Sequence, residues 1–202
     1  MNPIEDTIRL VILGDTLVSS SGDTKGIGWL GRVMARTPIE NPRIDSYALA
    51  APDQTSAMIS ERWQTEAVKR FSENTVNKLV VMMPNSDPAA GISISRSRLN
   101  LANILDDARK NGIDVFVIGP TPHRNPELNS EIEHLVTGFE DVCSRRQVPF
   151  VDCFTPLVEH EGWNSEVRLG QSGLPGQIGH GLLAWLVLNR GWHEWLGVAE
   201  QI

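Results

Sequence analysis

Apolar positions along this chain follow two alternating patterns. Five short runs are almost continuously apolar and rich in β-branched residues: "IRLVIL" (8–13), "IDSYALA" (44–50), "KLVVMM" (78–83), "DVFVIG" (114–119) and "FVDCF" (150–154). Runs of this length between turn residues read as strands. The segments between them carry helical spacing instead. Leu101, Ile104, Leu105 and Ala108 recur at i, i+3, i+4 and i+7, and Leu128, Ile132, Leu135, Phe139 and Val142 hold the period for several turns. Ile178, Leu182, Trp185 and Leu186 predict a last amphipathic helix. Strand alternating with helix is the signature of an α/β fold, a parallel sheet covered on both faces. With no internal repeat, low-complexity tract or linker, residues 1–202 are expected to form a single domain. The Pro-rich "GPTPHRNPELN" (119–129) predicts the loop where strand four stops.

Composition narrows the classes. Apolar residues at 41% and charged residues at 21% allow a sizeable core. A net charge of −7 argues against a nucleic-acid partner, because phosphate binding needs a basic face. No run reaches the length of a membrane span. The start, "MNPIEDTIRL", is acidic, with no basic segment leading into an apolar one, so no signal peptide is expected. Cys143 and Cys153 are too few for a disulfide framework or a zinc site. The expectation is a cytoplasmic protein with no metal and no cofactor.

Open α/β sheets bind ligands beyond the carboxyl ends of their strands. The loops at that rim carry Asp15 and Thr16 after strand one, Asp53 and Thr55 after strand two, and Asn85, Ser86 and Asp87 after strand three. His123 follows strand four, and a long segment (155–177) follows strand five. Gly14-Asp15-Thr16 sets a hydroxyl in a turn at a strand end, where a nucleophile would stand.

Read in order, "GDT", "APDQTSAMISERW", "MMPNSDP" and "GQSGLPGQIGHGLLAWLVL" resemble the blocks of the SGNH or GDSL hydrolases, a family of esterases, lipases and acylhydrolases. The resemblance runs from Leu10 to about Leu196. It implies a flavodoxin-like three-layer α/β/α sandwich with a five-stranded parallel sheet, and carboxylic-ester or acyl hydrolysis as the family's activity. It also implies roles by position. Thr16 stands where the family has its nucleophilic Ser, Asp53 where it has a Gly oxyanion donor, and Ser86 where it has the Asn donor. Gln171 replaces the catalytic Asp and Leu174 the catalytic His. Asp87 matches the last residue of the third block and reads as a structural hydrogen-bonding group.

Those changes carry a chemical cost. A hydroxyl attacks only when a neighbouring base takes its proton, and Leu174 accepts none. Gln171 is neutral and cannot stabilise an imidazolium. The Asp53 carboxylate adds negative charge where an oxyanion would form. The inherited mechanism is therefore not expected to run, and Asp15, Thr16, Asp53, Asn85, Ser86, Asp87, Gln171 and Leu174 are expected to frame a vestigial cleft. Its ligand would be a small ester, acyl or glycan-like molecule, or a regulatory partner.

Each candidate also has a plainer role. Thr16 reads as a turn hydroxyl bonding the following backbone, and Asp53 as a cap on the helix after strand two. Asn85 is placed to substitute for the missing Asn donor. His180 suits helix packing, Cys153 is expected to be buried, and His134, His160 and His193 have no partner pattern. Packing of the last helix accounts for Trp185, whereas "GWHEWLG" offers Trp192 and Trp195 as an aromatic contact surface. Two other functions stay open: a divergent ester or acyl hydrolase in which His123 activates Thr16, and a structural or interaction subunit, including a homo-oligomer.

Overall fold

The computed structural model describes residues 7–199. Most of the acidic amino-terminal stretch from which no signal peptide was expected lies outside the described residues. Five parallel strands, β1 (Thr7–Gly14), β2 (Arg43–Ala50), β3 (Val76–Met82), β4 (Asp114–Ile118) and β5 (Phe150–Val151), pair in the order β2-β1-β3-β4-β5. Seven helices accompany them: α1 (Gly28–Met34), α2 (Ser56–Ala67), α3 (Ile94–Lys110), α4 (Asn129–Ser144), α5 (Glu161–Val167), α6 (Gln177–Leu188) and α7 (Trp192–Leu196). This is the expected flavodoxin-like sandwich. Strand order reverses between β1 and β3, which puts a crevice at their carboxyl ends.

Period-two alternation along the buried strands divides the core into two layers. Leu10, Ile12, Val80, Met82, Phe116 and Ile118 face one way, onto α1, α5, α6 and α7. Val11, Leu13, Leu79, Val81, Val115 and Val117 face the other, onto α2, α3 and α4. Burial of both faces explains why these strands read as continuous apolar runs. The fifth strand is shorter than its apolar run, because Asp152 leaves the ladder and its carboxylate accepts the Phe154 and Thr155 N–H groups.

Two sequence expectations fail on the last helices. The apolar face assigned to α6 is largely its solvent face: Ile178 and Trp185 are 52% and 57% exposed, and Leu182 is half-buried. Of the expected face only Leu186 is fully buried, and the core otherwise takes Gly179, His180, Leu183, Ala184 and Val187. A helix apolar nearly all round gives no unique stripe, so periodicity alone picks the wrong side. The tryptophans are exchanged accordingly. Trp192 is fully buried, and it and Trp195 cluster with Phe116 at ring-centroid distances of 5.1 to 5.7 Å. Lys78 anchors that cluster, donating to the Trp195 carbonyl at 2.7 Å with its ammonium 4.8 Å from the Trp195 ring. Trp185, not "GWHEWLG", is the exposed aromatic.

Candidate functional site

The turn after β1 is set by Gly14, where a Cβ would stand 2.8 Å from Val18 Cγ2 and 2.9 Å from Met82 Cβ. Only glycine lets the chain bend there against β3. A single 3₁₀ turn (Thr16–Ser19) follows, and Asp15 caps it by accepting the Leu17 N–H at 2.9 Å. The expected turn bond from Thr16 is therefore made by Asp15. Among the described residues, no side chain or backbone group hydrogen-bonds the Thr16 hydroxyl. Burial pushes the Asp15 carboxyl above its usual range, with the Leu17 N–H opposing.

Three devices hold the surrounding loops. Arg62 of α2 donates to the Gly14 carbonyl at 2.7 Å, the Leu49 carbonyl at 3.3 Å and Gln54 Oε1 at 2.8 Å, tying the ends of β1 and β2 together. Asp87 is fully buried and accepts the Ser56 N–H at 2.8 Å and the Ser97 hydroxyl at 2.5 Å, joining the β3 loop to the starts of α2 and α3. Glu166 of α5 accepts the N–H groups of Gly176 (2.7 Å), Ile178 (3.1 Å) and Gly179 (2.7 Å). One carboxylate thus satisfies donors that the first turn of α6 leaves unpaired. Neither Arg62 nor Glu166 was singled out from sequence, since the partners just named lie 8 to 48 residues away.

The cleft these devices frame has a volume of about 280 Å³. Asp15, Thr16, Asp53, Asn85, Ser86, His123 and Leu174 line it, with Leu17, Trp163 and Arg124 among the others. Two of the expected residues do not. Asp87 is spent on the buried bonds just described, and Gln171 is exposed outside the cleft. A larger concavity, about 710 Å³, lies between Trp63, Phe71, Asn77 and Ile113 at the opposite, amino ends of the strands. It holds none of the rim residues. Among the described residues no group of three His, Cys, Asp or Glu side chains is placed to hold a metal ion, and no helix is long and apolar enough to cross a membrane.

Within the cleft the polar groups are largely committed elsewhere. The Asn85 amide nitrogen donates to the Thr121 carbonyl at 3.1 Å, and the Ser86 hydroxyl donates to the Gln54 carbonyl at 2.5 Å. Both side chains bind neighbouring loops. Asp53 is not a helix cap: Thr55 fills that place, accepting the Met58 N–H. Asp53 instead sits at φ 54°, a left-handed conformation that favours glycine, the residue type the resemblance sets at this position. Leu174 packs against the core on the α1 and α6 side.

His123 shares the cleft with Thr16, but its ring is oriented by its own loop. Its Nδ1 accepts the Asn125 N–H at 3.0 Å, so the neutral ring carries its proton on Nε2. A triad histidine needs the opposite tautomer, with Nε2 free to accept. The other histidines are structural or solvated. His180 is fully buried, accepting the Trp29 N–H on Nδ1 and donating from Nε2 to the Ser21 carbonyl, each at 3.0 Å. Burial lowers its pKa, so it stays neutral. His160 caps α5, His193 binds the Arg36 carbonyl, and His134 is exposed. Burial pushes the Cys143 thiol up to about 12, and Cys153, wholly buried, is raised further. Neither is a reactive thiolate.

A family model for GDSL-like lipases and acylhydrolases matches residues 12–180. The chain belongs to that family. Solved structures agree on the fold. The lipase/acylhydrolase of Enterococcus faecalis superposes with a TM-score of 0.72 at 17% identity, covering 96% of this chain and 98% of its own. An acetylxylan esterase of Geobacillus stearothermophilus gives 0.73 at 13% identity, covering 96% and 97%. A psychrotrophic esterase from Pseudoalteromonas gives 0.69 at 14% identity, covering 94% and 98%. No curated protein matches the chain in sequence.

Proposed function

We propose that this GDSL-family chain binds a small ester, acyl or glycan-like ligand in its cleft without hydrolysing it. The observation that carries this reading is the surroundings of Thr16. Its hydroxyl has no hydrogen-bond partner among the described residues, and the same cleft is lined by the aliphatic Leu174, which the sequence resemblance aligns with the family's imidazole. An unactivated hydroxyl is a poor nucleophile. Where a hydrolase loses its whole triad, turnover falls by about a million-fold. The Asn85 and Ser86 bonds to neighbouring loops support the same reading, since they take up groups that would otherwise face an oxyanion. Acetylated xylan, named for the Geobacillus esterase, is one ligand class to include in a screen.

One observation favours a second reading, a divergent hydrolase: Thr16 and His123 line the same cleft. The Nδ1 bond from Asn125 weighs against it. A panel of 4-nitrophenyl acyl esters and acetylated xylo-oligosaccharides, assayed on the native chain and on Thr16→Ala, separates the two. Equal background rates in both support the binding reading, and turnover abolished by Thr16→Ala establishes the hydrolase. Thermal shift with the same compounds finds the ligand, because a molecule that binds only the folded chain raises its melting temperature.

A further inference from the structure

Besides Asp15, which is half-buried and accepts the Leu17 N–H, the cleft wall carries two exposed charges with no internal counterpart. Asp53 and Arg124 both line the cleft and are both exposed, and among the described residues neither takes part in an ion pair. The sheet keeps them apart. Asp53 follows β2 and Arg124 follows β4, with β1 and β3 between them. At ~4.8 Å per strand the two loops are rooted about 14 Å apart.

Arg124 is also placed by its surroundings. Gly173 adopts φ +67°, and a Cβ there would stand 2.8 Å from Arg124 Nη1 and 3.1 Å from Cζ. The guanidinium therefore lies against the bare Gly173 backbone, next to Leu174. A permanent cation sits beside the position where the family sets a titratable imidazole. His123, the residue before it, lines the same wall, with its Nδ1 accepting the Asn125 N–H. Between the charged walls, Leu17, Trp163 and Leu174 give the cleft an apolar side.

We infer that the cleft takes a small zwitterion, with a carboxylate at Arg124, an ammonium at Asp53 and a short apolar chain between them. This rests on the reading of the cleft as a ligand site. A guanidinium matches a carboxylate with two parallel hydrogen bonds. A neutral ester leaves both wall charges unmatched. A simple anion gains Arg124 but meets Asp53 and the negative field of a chain of net charge −7. A simple cation gains Asp53 and meets Arg124. The ~14 Å between the loop roots sets the scale for a probe, and a six-carbon skeleton serves as the first one.

Isothermal titration calorimetry of the native chain with 6-aminohexanoate, hexanoate, hexylamine and hexanamide tests this on one carbon skeleton. The expected result is 6-aminohexanoate binding at least about tenfold tighter than the other three, since tenfold is a modest return for a second matched charge. Asp53→Asn and Arg124→Gln, both at exposed positions, should each remove the advantage of 6-aminohexanoate over hexanamide. Hexanoate, hexylamine or hexanamide binding as tightly as 6-aminohexanoate would overturn the assignment, as would binding indifferent to both substitutions. If 6-aminohexanoate is silent while neutral esters or acetylated oligosaccharides bind, the zwitterion falls and the cleft reading stands. If neither panel binds, both fall.

Discussion

The Asp87 hub and the loop through Leu174 correspond to two separate blocks of the family pattern that the sequence resembles, and they are built differently. At the hub, Asp87, Ser56 and Ser97 are all fully buried, and Asn100 adds a bond to the Ser56 hydroxyl at 2.9 Å. In the loop, Gln171 is exposed and Leu174 is aliphatic. The hub joins two helix starts to a strand end, so any change there leaves buried donors unpaired. The loop engages no buried charge: Gln171 faces solvent, and Leu174 adds apolar packing on the α1 and α6 side. The buried bonds that hold the scaffold and the side chains that line the cleft are thus physically separable here.

The hub is the place to break this contrast most forcefully. Asp87→Ala should destabilise the chain by about 3 kcal/mol, because the buried Ser56 N–H and Ser97 hydroxyl lose a charged acceptor. Urea denaturation measures it, and a loss under 1 kcal/mol would mean that the hub is not what holds the β3 loop. Glu166→Ala should cost about 2 kcal/mol, as a helix cap that accepts several N–H groups is lost. The change should also loosen the loop before α6, seen as faster amide exchange at Gly176 and Gly179.

A pH titration sharpens the comparison at the junction of the two regions. His180 ties the Ser21–Trp29 segment to α6, facing the Asp23 and Glu166 carboxylates and the Arg32 guanidinium. Its folded pKa lies below the ordinary 6.5, so the unfolded chain holds the proton more tightly. Stability from this group is complete above pH ~6.5 and declines as pH falls toward the lowered folded value, with a slope of at most ~1.4 kcal/mol per pH unit. In His180→Gln the melting temperature should lose that dependence below about pH 6.5. The smallest effect is expected at Asp53. Asp53→Gly should stabilise by up to about 1 kcal/mol, because glycine adopts the left-handed backbone without strain.

Much of the fold was legible in the sequence because its signals are local. Both-face burial made β1, β3 and β4 continuous apolar runs, and α3 and α4 have polar outer faces that make the period readable. The short helices α1, α5 and α7 span two turns or fewer and give no comparable stripe. α6 misled because apolar residues surround it. The cleft was legible only to the level of which loops supply it. That Asp15, Thr16, Asp53, Asn85, Ser86, His123 and Leu174 meet follows from strand order, but what each side chain bonds does not. The Asn85 amide turns to Thr121 across 36 residues, and Glu166 reaches α6 from a separate helix. Such partners are set by tertiary packing, which no local pattern encodes. Arg124 was missed for the same reason, since its place depends on a glycine 49 residues away, at position 173.

The account turns on whether anything in the folded chain withdraws the proton from Thr16. Intact-protein mass spectrometry after incubation with a fluorophosphonate reads this directly, because only an activated hydroxyl forms the phosphonyl adduct. The account predicts an unchanged mass for the native chain. A stoichiometric adduct localised to Thr16, and absent from Thr16→Ala, would contradict it.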